Sequence, residues 1–408
     1  MHPTLIEKQE IRTLKQFYNL MAMTRDVRYK TVKNLFKDQP IGQASITSLK
    51  NALFSLEDIP SENGLKILYI DNSKKISARL LYEISELRKD IFFLENTEKQ
   101  FIEYLENLHQ GFMEQVNNGI EKLQGLKFNC FITDRDGTIN NYCGRYISSV
   151  QAIYNSVFLT RFAREKALNP IIITSAPLKG PGLVDVLVDV SVNPDKTFIY
   201  AASKGREYIN LNGERKTYPI EENKQRLLDS LNKRLSDLVK KPAFEEFSMI
   251  GSGLQFKFGQ TTIARQDIRK SIPELESEEF LDKIRHIVRE TDPGNKNFKI
   301  EDTSLDIEII LTIDDTLSGA KDFNKADGVS FLDDALKLNM TKGPHLVCGD
   351  TSSDVPLIEA AMEKTPDTWA VFVTENSELA AKVKDMCPNS FIVTQPDVLV
   401  TILGLLSK

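Results

Sequence analysis

Apolar residues recur every three or four positions through much of the first 125 residues, which predicts amphipathic helices. The clearest stripe runs from residue 76 to 123, and the stretch 95–98 is expected to end one helix and cap the next. Earlier helices are predicted over 5–23, 26–36 and 45–54. The pattern indicates a small antiparallel bundle whose stripe forms its own core and which also offers a surface for a protein partner or an oligomer contact.

From about residue 126 the pattern changes to short apolar runs that alternate with helix-like stretches, which is typical of a parallel sheet with crossover helices. Between 217 and 313 two predicted helices alternate with predicted strands, and this indicates a small α/β cap inserted over the sheet. The helices are predicted over 223–240 and 277–290, and the strands over 247–250, 254–258, 298–300 and 305–313.

These patterns together predict an α/β fold with three domains. We expect an N-terminal helical domain over 1–125, a core made of 126–216 and 314–408, and an α/β cap over 217–313. A cap of this kind excludes water from a reaction and supplies contacts to the substrate.

Composition excludes several functional classes. The 408-residue chain is 41% hydrophobic with a net charge of −6, and no basic block indicates a nucleic-acid partner. No apolar run approaches the roughly 20 residues that span a bilayer. The first residues carry charges where a signal peptide needs an apolar stretch, and the four cysteines show no CxxC pairing. We expect a cytoplasmic protein with reduced thiols and no membrane span.

Two carboxylates close together at the end of a predicted strand are the strongest chemical feature. Asp134 and Asp136 follow the apolar run 126–132, and ligands bind at the carboxyl ends of strands in open α/β sheets. Gly137 permits a sharp turn there. Carboxylates this close need a cation between them or a proton on one of them. On its own the segment also fits a plain strand and turn.

Three later segments carry complementary chemistry. Thr174 ends an apolar run and can donate its hydroxyl to a phosphate oxygen. Lys325 opens a predicted helix and can neutralise a nucleophile or a phosphate, with Lys321 as the rival candidate. Asp350 follows another apolar run and can complete an oxygen-rich Mg²⁺ site, while Asp354 can support the lysine or a metal-bound water.

These four segments, in this order, resemble the signature of the haloacid dehalogenase superfamily, which implies a Rossmann-like parallel sheet and phosphoryl transfer. Asp134 would attack phosphorus and form an aspartyl-phosphate, while Asp136 protonates the leaving alkoxide and later deprotonates water. Mg²⁺ would be held by Asp134, Asp350 and the backbone carbonyl of Asp136. Lys325 and Thr174 would offset the charge of the phosphoryl group from other sides.

Longer stretches resemble trehalose-6-phosphate phosphatases of the nematode type over roughly residues 126–408. They include TDRDGT at 133–138, PLKGPG at 177–182, KGRE at 204–207 and LDIE at 305–308. The resemblance implies Mg²⁺-dependent hydrolysis of the sugar phosphate trehalose 6-phosphate, a cap that recognises the disaccharide, and an N-terminal helical domain. The candidate contacts to sugar hydroxyls are Arg206, Glu207, Gln255, Lys257 and Glu308.

Two other hypotheses remain open. A phosphatase for another sugar or glycoside phosphate, or a phosphohexomutase, would carry the same four segments. A non-catalytic scaffold with the helical domain as its working part is the second alternative. It is disfavoured because Asp134, Asp136, Lys325 and Asp350 are all intact.

Overall fold

The computed structural model describes residues 5–70, 74–189, 197–315 and 319–408, with the backbone alone for 313–315 and 319–321. The segment before residue 126 contains five helices and a three-stranded antiparallel sheet in the order β1-β2-β3. These elements are α1 (Leu14–Leu35), α2 (Gln43–Glu57), β1 (Ser61–Glu62), β2 (Leu65–Tyr69), β3 (Lys75–Ala78), α3 (Leu81–Glu95), α4 (Glu98–Leu108) and α5 (Phe112–Leu123).

Capping side chains set where two of these helices begin. The Thr97 hydroxyl accepts a hydrogen bond from the backbone N–H of Gln100, whose side-chain oxygen accepts one from the Thr97 N–H. This capping box starts α4 and confirms the predicted break at 95–98. Thr13 and Gln16 form the same arrangement at the start of α1.

Two expectations for this segment are wrong. The helices predicted over 5–23 and 26–36 are one continuous helix, α1, because the Thr13 cap lies well inside the first range and no glycine or proline interrupts 14–35. The sheet β1–β3 lies in 61–78, where no strand was predicted. Its strands have two to five residues, too few for their alternation to stand out from a helical stripe.

The core is an eight-stranded sheet in the order β17-β16-β15-β4-β5-β6-β7-β8. Six strands are parallel, and β7 and β8 extend the edge in antiparallel pairing. The elements before the cap are β4 (Phe128–Thr133), α6 (Ile153–Lys166), β5 (Ala167–Ile173), α7 (Leu183–Val186), β6 (Ile199–Ala202), β7 (Glu207–Ile209) and β8 (Arg215–Thr217).

The cap is a four-stranded antiparallel sheet in the order β11-β12-β10-β9, with two helices that pack on each other. The strand expected over 247–250 is instead a 3-10 helix, Glu245–Ser248, in which Phe247 stacks on Phe280 at 3.8 Å. Its apolar pattern reflects that packing, not strand pairing. The elements are α8 (Glu222–Val239), β9 (Leu254–Lys257), β10 (Gln260–Ala264), α9 (Glu274–Thr291), β11 (Phe298–Asp302) and β12 (Asp306–Leu311).

After the cap the chain returns to the core on the other side of β4. This reversal makes β4 the place where neighbouring connections leave in opposite directions, which is where such sheets bind ligands. The elements are β13 (Ile313–Asp315), β14 (Gly319–Lys321), α10 (Lys325–Leu336), β15 (His345–Gly349), α11 (Val355–Lys364), β16 (Thr368–Val373), α12 (Ser377–Met386), β17 (Ser390–Val393) and α13 (Pro396–Leu406).

In the described residues the larger of two clusters of buried apolar side chains runs through the N-terminal helices, the core and the cap, and the second lies within the core. Helix α13, near the C-terminus, links the N-terminal segment to the core, because it packs against both α5 and α6. Among the helices that the structure describes, none has the length and apolar character needed to cross a bilayer. The predicted fold class, a Rossmann-like sheet with an inserted α/β cap and an N-terminal helical bundle, is confirmed.

Candidate active site

Three adjacent strands deliver polar residues to one edge of the sheet. Strands β15, β4 and β5 are neighbours, with Thr133 paired to Cys348 on one side and to Ile172 on the other. The next residues along these strands therefore emerge side by side. They place Asp134 close to Asp350, and the backbone N–H of Asp134 donates to the carbonyl of Cys348 at 3.0 Å.

A buried lysine lies between two of the carboxylates. Lys325 Nζ donates to Asp134 Oδ1 at 2.6 Å and to Asp354 Oδ1 at 2.5 Å. The N-cap Asn324 fixes the start of α10, because its side-chain oxygen accepts the N–H groups of Ala326 and Asp327. Lys325 is the first residue of α10, so this cap fixes the direction in which its side chain extends. The side chain of Lys321, the rival candidate, lies outside the described residues.

Asp354 is already fully engaged within the protein. Its Oδ2 accepts the backbone N–H groups of Asp350 and Thr351 at 3.2 and 3.0 Å, while Lys325 holds its Oδ1. Burial alone would raise the pKa of Asp354, but Lys325 and these backbone donors hold it below its usual range. Asp354 is therefore an ionised support for the lysine and for the turn after β15.

The other two carboxylates carry more negative charge than the site compensates. Burial, with a contribution from Asp354, raises the pKa of Asp134 to about 7 despite the neighbouring Lys325. Burial and then the charges of Asp134 and Asp354 raise the pKa of Asp350 to about 8. Burial would lower the pKa of Lys325, but the two carboxylates outweigh it and raise that pKa. A cation beside Asp134 and Asp350 would relieve this repulsion.

The residues present fit a divalent cation with oxygen ligands. One carboxylate oxygen each from Asp134, Asp350 and Asp354 lies within 4.8 Å of the others. Since Asp354 is engaged elsewhere, Asp134 and Asp350 supply the available oxygens. Within the described residues, the Thr138 hydroxyl is the side-chain donor that reaches both, at 3.3 and 3.2 Å, and one hydroxyl hydrogen satisfies one of them at a time.

The turn after Asp134 brings the second aspartate back over the site. Gly137 has φ +89° and donates its N–H to the carbonyl of Asn140 at 2.8 Å. Arg135, which is fully buried, pairs with Asp136 and donates to Ser149 Oγ at 3.1 Å. Asp136 lines the cavity, keeps partial exposure, and is oriented by the buried guanidinium of Arg135.

Thr174 can take part in the turn after β5 and also donate its hydroxyl to a phosphate oxygen. Its Oγ1 accepts the backbone N–H of Ala176 at 3.2 Å, which is the turn expected after a strand. Because that bond uses a lone pair, the hydroxyl hydrogen remains available to donate into the cavity. Thr174 is buried and lines the cavity.

A cavity of about 250 Å³ lies between the core and the cap. The residues that line it from the predicted set are Asp134, Asp136, Thr174, Gln255, Lys257, Lys325, Asp350 and Asp354. Gln255 and Lys257 come from β9 of the cap, and burial lowers the pKa of the Lys257 ammonium. Glu308 of β12, also a predicted sugar contact, lies 4.0 Å from the Lys257 ammonium but is not among the residues that line the cavity.

Arg206 and Glu207, which were predicted as sugar contacts, are not among the residues that line this cavity, so the structure gives that assignment no support. Arg206 donates to the carbonyls of Gly259 at 2.7 Å and Leu311 at 3.2 Å, and burial lowers its pKa to about 10. Glu207 accepts from the Leu178 N–H and from Arg215. Arg206 joins the core to the cap, while Glu207 joins the loop after β5 to the edge strand β8 of the core sheet.

The sequence analysis missed several residues of the cavity wall. They come from the loop after the turn at 134–140, from the segments that follow β5 and β15, and from a glycine-rich turn that precedes β9. These residues are Tyr142, Cys143, Gly144, Tyr146, Ser175, Ala176, Gly251, Ser252, Thr351 and Ser353. Six of them lie within four residues of a predicted site residue, so proximity in sequence was the available signal, whereas the four residues from 142 to 146 lie six to ten residues after Asp136.

Gly137→Ala is expected to destabilise the protein by about 3 kcal/mol or more, because two costs add. The residue has positive φ, and its new Cβ would lie 2.1 Å from Asp350 Oδ2. Gly125→Ala is the matched control, since Gly125 has φ +78° with open space around it. Urea unfolding of both variants checks this, and equal losses for the two would show that Asp350 is not close to Gly137.

The fold and the site together define a protein of the haloacid dehalogenase superfamily, with a strand-end aspartate pair, a buried lysine and a capped cavity. A family model described as trehalose-6-phosphate phosphatase, C-terminal, matches residues 131–399. A second, described as the trehalose-6-phosphate phosphatase N-terminal helical bundle domain, matches residues 13–112. The chain belongs to the trehalose-6-phosphate phosphatase family.

Relatives carry two kinds of name. A protein of Aphelenchoides avenae named alpha,alpha-trehalose-phosphate synthase (UDP-forming) 2 is 32% identical over 97% of this chain, which spans only 32% of that relative's length. A trehalose-phosphatase of Caenorhabditis briggsae is 26% identical over 95% of both chains. The solved C-terminal domain of C. albicans trehalose-6-phosphate phosphatase is 14% identical over 72% of this chain and 96% of that one, with a TM-score of 0.44, too low to add support.

Proposed function

We propose that this chain is a Mg²⁺-dependent phosphatase that hydrolyses trehalose 6-phosphate to trehalose and phosphate. One observation carries the proposal: Asp134, Asp350, Thr174 and Lys325 line a single cavity that the inserted cap covers. The family of the chain supports the substrate. The division into a helical domain (1–125), a core (126–216 and 314–408) and a cap (217–313), and a cytoplasmic location, belong to the same proposal.

Asp134, Asp350 and the backbone carbonyl of Asp136 would hold Mg²⁺. When bound, the ion would offset the charge that accumulates between the carboxylates and the phosphoryl oxygens. The uncompensated charge at Asp134 and Asp350, described above, supports this choice of ligands.

The reaction proceeds in two displacements. A carboxylate oxygen of Asp134 attacks phosphorus, the bond from phosphorus to the sugar oxygen breaks, and Asp136 gives its proton to the leaving alkoxide. Water then attacks the phosphorus of the aspartyl-phosphate, Asp136 takes the proton of that water, and Asp134 leaves as a free carboxylate. Lys325 and the Thr174 hydroxyl stabilise the phosphoryl oxygens in both steps.

The cap would recognise the sugar. Gln255 and Lys257 supply donors at the cavity wall, and the carboxylate of Glu308 lies 4.0 Å from the Lys257 ammonium. Buried polar groups reject sugars that lack matching hydroxyls, because such sugars leave these groups unpaired.

The test of the proposal is phosphate release from a panel of sugar phosphates, with Mg²⁺ and with excess EDTA. We expect release from trehalose 6-phosphate in preference to glucose 6-phosphate, and loss of release with EDTA. An isomerised ester with little free phosphate would indicate a phosphohexomutase. UDP formation from UDP-glucose and glucose 6-phosphate would support the activity named in the synthase relatives, and no turnover at all would favour a scaffold.

Asp136→Asn is expected to lower kcat by about 10²–10⁴-fold, because both proton transfers lose their acid or base. The aspartyl-phosphate should accumulate, since its hydrolysis needs the base. Intact-protein mass spectrometry after mixing with trehalose 6-phosphate measures the added phosphoryl group. A wild-type rate would remove the acid–base role from Asp136.

Lys257→Met is expected to raise KM for trehalose 6-phosphate about tenfold or more, because one charged donor to the sugar is lost in a buried wall. Turnover of p-nitrophenyl phosphate should stay close to wild type, since that substrate has no sugar. Lys299→Met, on the exposed side of the same cap sheet, is the control. Equal losses on both substrates would argue against sugar recognition by Lys257.

A further inference from the structure

Helix α3 of the N-terminal segment buries a polar face. Five of its buried side chains are polar or charged, and residues three or four apart on a helix share one side. Buried polar groups are costly unless they are paired, so this face must have partners inside the protein. These residues are Tyr82, Glu83, Glu86, Lys89 and Asp90.

Most of the partners outside the N-terminal segment lie on one stretch of the core, residues 140–153, which follows the turn at 134–140 that carries Asp134 and Asp136, here called the catalytic turn. The Tyr82 hydroxyl is within hydrogen-bond distance of Asn140 Oδ1 at 3.1 Å and of the Val150 carbonyl at 2.9 Å. Glu83 accepts from Ser148 Oγ at 2.6 Å. Helix α3 therefore contacts this stretch near residue 140 and again near residues 148–150.

A second group of contacts clamps Asn141. Its side-chain N–H₂ donates to Glu86 Oε1 at 3.1 Å and to Asp397 Oδ1 at 2.9 Å. Lys89 lies between these two carboxylates and donates to Glu86 at 2.8 Å and to Asp397 at 2.9 Å. His109 also reaches Asp397, at 2.7 Å. The clamp thus joins α3, α13 and the start of the stretch 140–153, with Glu86, Lys89 and Asp397 buried at its centre.

The held stretch controls the position of Asp136 by two routes. The Asn140 carbonyl accepts the Gly137 N–H at 2.8 Å, and the Asn140 N–H donates to the Arg135 carbonyl at 2.9 Å, which closes the turn. Ser149 Oγ accepts from the Arg135 guanidinium, which in turn pairs with Asp136. A shift of residues 140–150 would therefore move the carboxyl group of Asp136.

We propose that Tyr82, Glu83, Glu86 and Lys89 are positioning residues for Asp136, so that the N-terminal domain is a working part of the active site. The proposal rests on the function proposed above. The N-terminal helices then do more than offer a docking surface, because their polar face sets the geometry of the proton transfer. Misplacement of about 1 Å is enough to slow catalysis strongly.

The test replaces Tyr82 by Phe, which removes one hydroxyl and keeps the ring. In single turnovers, release of trehalose from trehalose 6-phosphate should fall about tenfold, the rate equivalent of one lost hydrogen bond. The first-turnover burst of p-nitrophenol from p-nitrophenyl phosphate should change less than about twofold, because p-nitrophenolate leaves without a proton. A mere loss of folded protein would reduce both equally.

Tyr104→Phe is the matched control, since Tyr104 lies in α4 and its hydroxyl has no hydrogen bond to any residue in the described ranges. Hydrogen exchange gives a second measure that needs no turnover. Exchange of the Gly137 and Asn140 amides should quicken about tenfold in Tyr82→Phe and in Lys89→Met, and stay unchanged in Tyr104→Phe.

Equal slowing of both substrates, or unchanged exchange in Tyr82→Phe, would overturn the positioning role. If the wild-type protein hydrolyses neither ester, the proposed function fails instead, and the exchange rates alone then decide whether α3 holds the catalytic turn.

Discussion

Asp134→Asn should abolish phosphate release, with kcat reduced on the order of 10⁴-fold or more, as is common when an enzyme nucleophile is removed. The amide oxygen can still accept from Lys325, but a neutral amide is too weak a nucleophile to displace the sugar oxygen from phosphorus. Phosphate release from trehalose 6-phosphate under saturating conditions measures the loss. Retained turnover would exclude an aspartyl-phosphate on Asp134.

The same substitution should leave the fold as stable as wild type or more stable at pH 8. Burial raises the pKa of Asp134 to about 7 in the folded protein, above the value for an exposed aspartate. The folded state therefore binds this proton more tightly than the unfolded state, and stability falls as pH rises through that range. Asparagine removes the cost of the charge. Thermal unfolding without metal at pH 8 tests this, with the exposed Asp237→Asn as control.

The sequence was sufficient to predict which residues lie at the carboxyl edge of the sheet, because the relevant information is local. Asp134 and Asp350 each follow an apolar run directly, and parallel strands carry the residue after each run to the same edge of the sheet. The only long-range step was the adjacency of β4 and β15. The order of the connections and the resemblance supplied it.

The cap contacts depended on distances that a sequence does not contain. Arg206 directly precedes β7, and its guanidinium meets the carbonyls of Gly259 and Leu311, which are 53 and 105 residues away. A polar residue near a motif can equally face a ligand or tie two segments together. Nothing in the pattern separates these cases for Arg206 or Glu207.

The burial of the polar face of α3 could not be predicted from the sequence, for a different reason. Ile84, Leu87 and Ile91 gave the apolar stripe from which the helix was predicted. The opposite side, with Glu86 and Lys89, has the composition of a solvated surface, yet both side chains are buried. Periodicity identifies the apolar side of a helix, but it does not report whether the polar side meets water or another part of the protein.

Lys325→Met should have the second-largest effect, on both activity and stability. Loss of one charged donor to the phosphoryl oxygens is expected to lower kcat by about 10²–10³-fold. Removal of the cation leaves Asp134 and Asp354 buried without their partner, which is expected to cost about 3–5 kcal/mol of unfolding free energy at pH 8. Phosphate release and urea unfolding measure the two losses.

The stability loss should be smaller at pH 5 than at pH 8. Without Lys325 the pKa values of the neighbouring carboxyl groups rise, so the folded state takes up protons that the unfolded state does not, and stability falls with rising pH. Lys364→Met is the control, because Lys364 pairs with Asp333 at 3.0 Å between the same two helices, α10 and α11, but lies partly exposed and away from the cavity. Such a pair contributes about 0–1 kcal/mol. A Lys325→Met variant that matches this control in stability and in turnover would show that the buried lysine does not compensate Asp134.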